Sequence, residues 1–439
     1  MKTWKAVLIA FIAVGIFMSL SFTSQKGNKE KYRSTYRSIP RGCVFRTVMG
    51  EESSDSSFIY FTSARTLSSI QHGLEWITQA QANNGGWGAG SHNRQNVMDP
   101  HAVPSDPATT AMVAMALLRS GSSLKTGPYS LQLKNALNYL LNAVENSSPN
   151  SYNITDQTGT QIQIKLGANI DVILTSQFLS NLLDGHLDHD GQLKARVKSA
   201  NNLCVDKIQH SQDSNGSFVG SGWAGVLQSS FATNALEAAQ GQGANVDDKA
   251  LDRAREFQKN NYDAKTGDVK TEMGAGVMLY AVTGSARASA KEARRADEEI
   301  NKAKLDGRLA QDAQPSAQNL EKIGFGKDEA MKYSTAYEVY QSANIQAQRQ
   351  DVMDGFGSNG GEEFLSYMQT GESMIIGKDQ SWKKWYENIS GRLLNIQNGD
   401  GSWSGHHCIT SPVFCTATCL LILSVNNDVE RLIELGRPH

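Results

Sequence analysis

The residues best equipped for chemistry in this sequence lie near its C-terminus. His406-His407-Cys408, with Cys415 seven residues on, offers the imidazole and thiol donors that zinc or another borderline metal ion prefers. Adjacent histidines point in different directions, so at most two or three of the four converge without help from elsewhere. The plainer assignment is a structural loop, with one histidine capping the next helix and Cys415 in the core. Glu362-Glu363, after Asn359-Gly360-Gly361, is a carboxylate pair able to act as acid and base. Two acids opening a helix also complement its dipole with no chemistry involved. Asp106 precedes Pro107 and a run of small residues, the pattern of an N-cap. The catalytic candidates are therefore Asp106, Glu362, Glu363 and His407, with His92, Asp99 and His406 in neighbouring loops. The metal candidates are His406, His407, Cys408 and Cys415, for zinc, and no other cofactor is implied.

These loops are set between repeated elements. Gln81 is followed by Gly85 and Trp87, Gln212 by Gly216 and Phe218, and Gln397 by Asp400, Gly401 and Trp403, each time as Gln-x-x-x-Gly-x-aromatic. A helical apolar period precedes each copy, and a helix of small residues follows, as in Ala108–Leu118, Ser230–Leu236 and Phe414–Leu421. A glycine can end the first helix at positive φ, the glutamine amide can satisfy open backbone groups, and the ring covers the helix end. Weaker copies pair Leu133–Val144 with Ile170–Leu183, Leu251–Phe257 with Gly274–Val282, and Leu320–Ile323 with a helix around Tyr333–Gln346. Six such hairpins over 65–435 predict an all-α fold, an α/α toroid with small-residue helices inside. The charged run Arg287–Arg308 reads as a solvated helix or insertion.

The N-terminus sets the compartment. Two lysines within Met1–Lys5 precede the uncharged apolar run Ala6–Leu20, so residues 1–24 read as a signal peptide or membrane anchor. Residues 25–64 lack an apolar period and read as a flexible tether. Export allows disulfides, but five cysteines (Cys43, Cys204, Cys408, Cys415 and Cys419) are too few and odd in number for a disulfide framework. With 42 Lys and Arg against 44 Asp and Glu, there is no basic excess for nucleic-acid binding. The composition is also notable for 39 glycines against 9 prolines, which suits helices joined by Gly-containing turns.

Gln397–Trp403 and Gln81–Trp87 resemble the QW repeats of squalene-hopene and other triterpene cyclases. The wider relatives are the β-subunits of protein prenyltransferases and the thioester domain of complement-like proteins. Closest is a resemblance to bacterial prenyltransferase/squalene oxidase repeat proteins, through Gly401–Thr416 and Gly360–Phe364. That family name implies a fold and no established reaction. The relatives' catalytic signatures are missing. Asp188-His189-Asp190 and Asp247-Asp248 do not match the Asp-x-Asp-Asp motif of a cyclase. No Asp-x-Cys pair is present to begin a prenyltransferase zinc site, and no cysteine has a thioester context.

Two functions follow as expectations. The first is an exported envelope protein, periplasmic or anchored to the inner membrane, whose toroid binds a lipid, a glycan or a partner protein without catalysis. The alternative is a divergent terpenoid-cyclase or prenyltransferase-like enzyme acting on an isoprenoid or other apolar substrate. An apolar cavity with one recessed carboxylate would favour the enzyme, and a shallow polar bowl would favour recognition. The expected partner is an apolar small molecule or an envelope protein, and not a nucleic acid.

Overall fold

The computed structural model describes residues 60–184, 187, 190–357 and 359–427. The segment 1–24, most of the tether, Cys43, Asp188, His189 and the end of 65–435 lie outside the described residues. Among the described residues the regular structure is helical, with isolated β-bridges only, and no helix is long and apolar enough to cross a membrane. In chain order the helices are α1 (Ala64–Gln79), α2 (Pro107–Arg119), α3 (Ser130–Glu145), α4 (Gln161–Leu166), α5 (Ile170–Leu183), α6 (Gly191–His210), α7 (Gly225–Gly241), α8 (Asp248–Lys259), α9 (Met278–Leu305), α10 (Ala317–Lys322), α11 (Lys327–Ala347), α12 (Gln350–Met353), α13 (Gly361–Ile376), α14 (Trp382–Asn395) and α15 (Pro412–Leu423).

Helices α2, α5, α7, α9, α13 and α15 each pack against the next, and α15 packs back on α2, which closes an inner ring. Helices α1, α3, α6, α8, α11 and α14 form the outer layer, as the six-hairpin toroid predicts. Composition separates the layers. Helices α2, α5, α13 and α15 are buried along their whole length, whereas α8 buries one face through Leu251 and Ala254. Six inner-helix hydroxyls are satisfied locally: Thr110, Thr233, Thr283, Ser366, Thr370 and Thr418 each donate to the carbonyl four residues back.

The glutamine motif does more than close a turn. Gln81 Nε2 donates to Gly85 O at 2.8 Å and also to Gln132 O of α3 at 2.9 Å. Gln212 reaches Ala250 O of α8 at 2.9 Å, and Gln397 reaches Ser69 O of α1 at 3.0 Å. Each motif thus ties its turn to the next outer helix, and the last ties back to the first. The tryptophans complete the joint. Trp87 Nε1 donates to Ile77 O at 2.7 Å, and Trp403 Nε1 to Leu393 O at 2.8 Å, which satisfies carbonyls in the last turns of α1 and α14. Phe218 fills the same place without a donor.

Two expectations need correction. The fifth hairpin is α11 with α13. Leu320–Ile323 belongs to the short α10 and its end, whose Leu320 packs with Ala296, Ile300, Ala330 and Tyr333 in a satellite cluster between the long α9 and α11. The charged run is not simply solvated, because Arg287, Glu292 and Arg294 on α9 are buried. Where the inner helices end, Arg119 donates to Leu421 O at 2.9 Å and pairs with Glu372 at 3.0 Å, and Arg294 donates to Ile376 O. These cations meet the carbonyl ends of α15 and α13. A cavity of about 30 Å³ on the ring axis is lined by Met115, Leu174, Phe231, Leu421 and this Arg119–Glu372 pair.

Candidate functional site

The inner helices begin at the opposite mouth, where their positive ends gather and where acids cap α2 and open α5 and α13. Asp106 caps α2, with Oδ1 accepting Thr109 N at 2.7 Å and Oδ2 accepting Ala89 N at 2.8 Å. Asp171 of α5 accepts Ala108 N at 3.0 Å. Burial, and then the charge of Asp171, push Asp106 up to about 7. Asp106 has no exposed surface and its oxygens are taken by neighbouring N–H and O–H groups, so it serves as the N-cap the sequence suggested. Asp99 likewise caps the 3-10 turn Pro100–Ala102, at the surface.

Glu362 and Glu363 open α13 and differ in state. Glu363 accepts Tyr280 OH at 2.6 Å, Phe356 N at 2.9 Å and Gly360 N at 3.1 Å, and lies 3.4 Å from His407 Nε2. Burial works against its charge, but the His407 and Tyr280 contacts outweigh it and hold Glu363 below its ordinary value. Glu362 accepts Ile409 N at 3.2 Å, and burial followed by the charge of Glu363 pushes it up to about 7. The contact with Glu363 raises His407. One carboxylate is thus ionised and the next is poised near neutrality, the environment-driven separation that acid and base roles require.

The last-repeat loop is held against this pair by long-range bonds. Buried Gln161 takes Thr410 N at 2.8 Å on its oxygen and gives its amide to Ala89 O, while Gln95 donates to Cys408 O at 2.8 Å. Phe356 stacks on His407, with centroids 5.5 Å apart, and His406 lies on the same imidazole at 4.7 Å. Cys408 adopts φ +58°. Burial and then Glu362 push its thiol up to about 11, the reverse of an activated nucleophile.

The metal assignment is not supported by this geometry. Cys415 is buried in α15, where its Sγ approaches Ile409 O at 3.5 Å. Among the described residues no three His, Cys, Asp or Glu side chains are grouped to hold a metal ion. Nor does a histidine cap α15; Ser411 does, accepting Phe414 N. The structure does bring Glu362, Glu363, His406, His407 and Cys408 together, and Asp106 stays apart in its own pocket with Asp171.

Sequence reasoning missed Lys165, Trp223 and Tyr280. Lys165 is buried, with its ammonium 3.7 Å from the centroid of the Trp223 ring, and it acts electrostatically on Glu362 and Cys408. Trp223 is 60% exposed and meets His92 edge-on at 6.0 Å. The available signal was an aromatic residue closing Gly220-Ser221-Gly222, directly ahead of an inner helix.

Glu362 makes stability depend on pH. Its folded value of about 7 lies above the ordinary 4.5, so between these the folded chain holds a proton that the unfolded chain has lost. Stability from this group is therefore fully present below pH 4.5 and is lost as pH rises through about 7. Glu362→Gln is expected to remove that part of the fall, about 3 kcal/mol at most. Urea unfolding of both chains at pH 5 and 8 measures it, and parallel pH dependences would refute it.

No protein-family model matches the sequence, and no curated protein matches it in sequence. The chain is similar in fold to a solved structure of the type II terpene cyclase MstE from Scytonema without ligand, at 11% identity over 82% of this chain and 98% of that one, with TM-score 0.41. A variant of that cyclase in complex with its product, merosterolic acid A, shows 12% identity over 83% of this chain and 98% of that one, with TM-score 0.43.

Proposed function

We propose that this chain is an exported envelope protein whose toroid binds a ligand or partner at the N-terminal mouth of its inner ring and does not transform it. The packing of the ring axis carries this reading. A polyene or prenyl substrate must be enclosed in a cavity of several hundred Å³. Among the described residues, the cavity lined by the inner helices measures about 30 Å³, room for roughly one water molecule. At the mouth, by contrast, Trp223 and Phe356 are exposed beside polar groups, so it is a rim suited to recognition. The basic and apolar N-terminal segment supports export, with 25–64 as the tether that holds the toroid near a membrane.

The second reading, a divergent isoprenoid enzyme, draws on Glu362. A buried carboxyl near neutrality, beside Glu363, Tyr280 and His407, is the kind of group that donates protons in active sites. Incubation of the full-length chain with squalene and with geranylgeranyl diphosphate, followed by mass spectrometry, separates the two. Both compounds are expected to be recovered unchanged. Conversion of either one that is lost in Glu362→Gln would overturn the binding reading in favour of the enzyme.

A further inference from the structure

Among the described residues, Lys165 is the least explained charge. The residue is 3% exposed, yet among the described residues its ammonium bonds no oxygen; its neighbours are the inner face of the Trp223 indole and the Cys408 thiol. An ammonium set against one aromatic face keeps donor capacity that the face does not use. The cluster around it is rich in donors. Beside the ammonium stand the Cys408 thiol and Glu362, which carries its proton over much of the range below neutrality. Glu363, the ionised member, already has its oxygens engaged by Tyr280, Phe356 N, Gly360 N and His407.

Ligand charge can be narrowed from this arrangement. A cation on the outer face of Trp223 would be repelled by the ammonium held against the inner face. A diphosphate needs several cations, whereas this cluster holds one lysine. A single planar oxyanion matches one ammonium and one acid proton, and the exposed indole supplies an apolar surface next to it.

We infer that the mouth at Lys165 and Trp223 binds a carboxylate-bearing ligand, with Lys165 taking its oxygens and the indole carrying its apolar body. This rests on the reading of the mouth as a binding site. Trp223 ends a loop in which Gly220 has φ +68°, and its exposed ring lies over the ammonium at 3.7 Å.

Calorimetric titration of the full-length chain tests the inference. The probes are decanoate, 1-decanol and decyl phosphate, with N-acetylphenylalanine and its amide as a peptide-like pair. Decanoate is expected to bind about tenfold or more tightly than decanol, the effect of one charge-assisted contact. Lys165→Met should abolish that preference, and Trp223→Ala should weaken both ligands, with folding checked by circular dichroism. The wild-type comparison of acid with alcohol stands even if a variant fails to fold. Preference for N-acetylphenylalanine over decanoate would give a peptide C-terminus as the source, and the reverse a free fatty acid. Equal binding of acid and alcohol, tighter binding of decyl phosphate, or a preference surviving Lys165→Met would overturn the carboxylate assignment and leave the mouth as a binding site. Failure of every probe to bind, with turnover of a polyene, would overturn both.

Discussion

Glu372→Ala is expected to destabilise the ring by about 3–5 kcal/mol, because it removes one acidic partner from a buried charge network. Glu372 of α13 pairs with Arg119 of α2 at 3.0 Å and lies 3.9 Å from Arg287 of α9. Arg287 in turn lies 3.7 Å from Glu237 of α7, which pairs with Arg255 of α8 at 2.7 Å. The chain of alternating charge therefore links four inner helices and one outer helix at the end where the ring's carbonyls gather. Without Glu372, Arg119 and Arg287 each lose an acidic neighbour while remaining almost fully buried. Removing the charge from both partners behaves differently. Arg119→Met with Glu372→Leu keeps the volume filled and deletes two desolvated charges together, so most of the loss should be recovered. Arg287 then keeps Glu237, and the carbonyl of Leu421 loses its donor. Urea unfolding of the single and double variants gives the difference, and a loss below about 1 kcal/mol in the single variant would mean that the network is solvated in solution.

The same physical reasoning explains how far the sequence could lead. Local rules locate the turns, since a glycine at positive φ and a tryptophan covering a helix end leave marks a few residues apart. The contrast between Ala/Thr/Ser-rich and amphipathic segments separates inner from outer helices. What local rules missed is the reach of the glutamine. Gln81, Gln212 and Gln397 looked like caps on open backbone groups, but each also bonds a carbonyl of the neighbouring outer helix, a contact that exists only once the ring has formed. The fifth hairpin was misplaced for a related reason. Leu320–Ile323 has the apolar period of an outer helix, and only its position between the long α9 and α11 shows that it packs in a satellite cluster.

The site divides along the same line. Glu362, Glu363, His406, His407 and Cys408 were recognisable as reactive types, and Asp106 as a cap. Their states were not, because the split between Glu362 and Glu363 depends on Tyr280, which arrives from α9, and on His407, which arrives from the last repeat. Lys165 lies in the short helix Gln161–Leu166 and has no motif around it. Its significance comes from Trp223, 58 residues further on, set over its ammonium.

The seam between the last repeat and the first gives the second large effect. Gly401 sits at φ +95°, and a Cβ added there would lie 2.7 Å from His72 O and 2.8 Å from His72 C, both backbone atoms of α1. Gly401→Ala therefore has two costs. A left-handed backbone costs a non-glycine residue roughly 1–2 kcal/mol. The overlap with α1 must then be relieved by moving a helix, since a backbone carbonyl cannot rotate away as a flexible side chain can. Such movement would strain the bond from Gln397 to Ser69 O at 3.0 Å and the packing of Trp403, whose ring lies against Gly73. The total is expected to be about 3 kcal/mol or more, in the range of a severe core substitution. Because the defect is at the ring's closure, it should be local as well as large. Amide exchange in α1 and α14 should accelerate well before exchange in α5 and α7, across the ring. Gly399→Ala is the matched control, since a Cβ at Gly399 meets no neighbouring atom and its backbone is not left-handed. If both substitutions destabilise the chain alike, or if exchange rises uniformly around the ring, then the Gln397–Gly401–Trp403 joint does not hold the toroid closed.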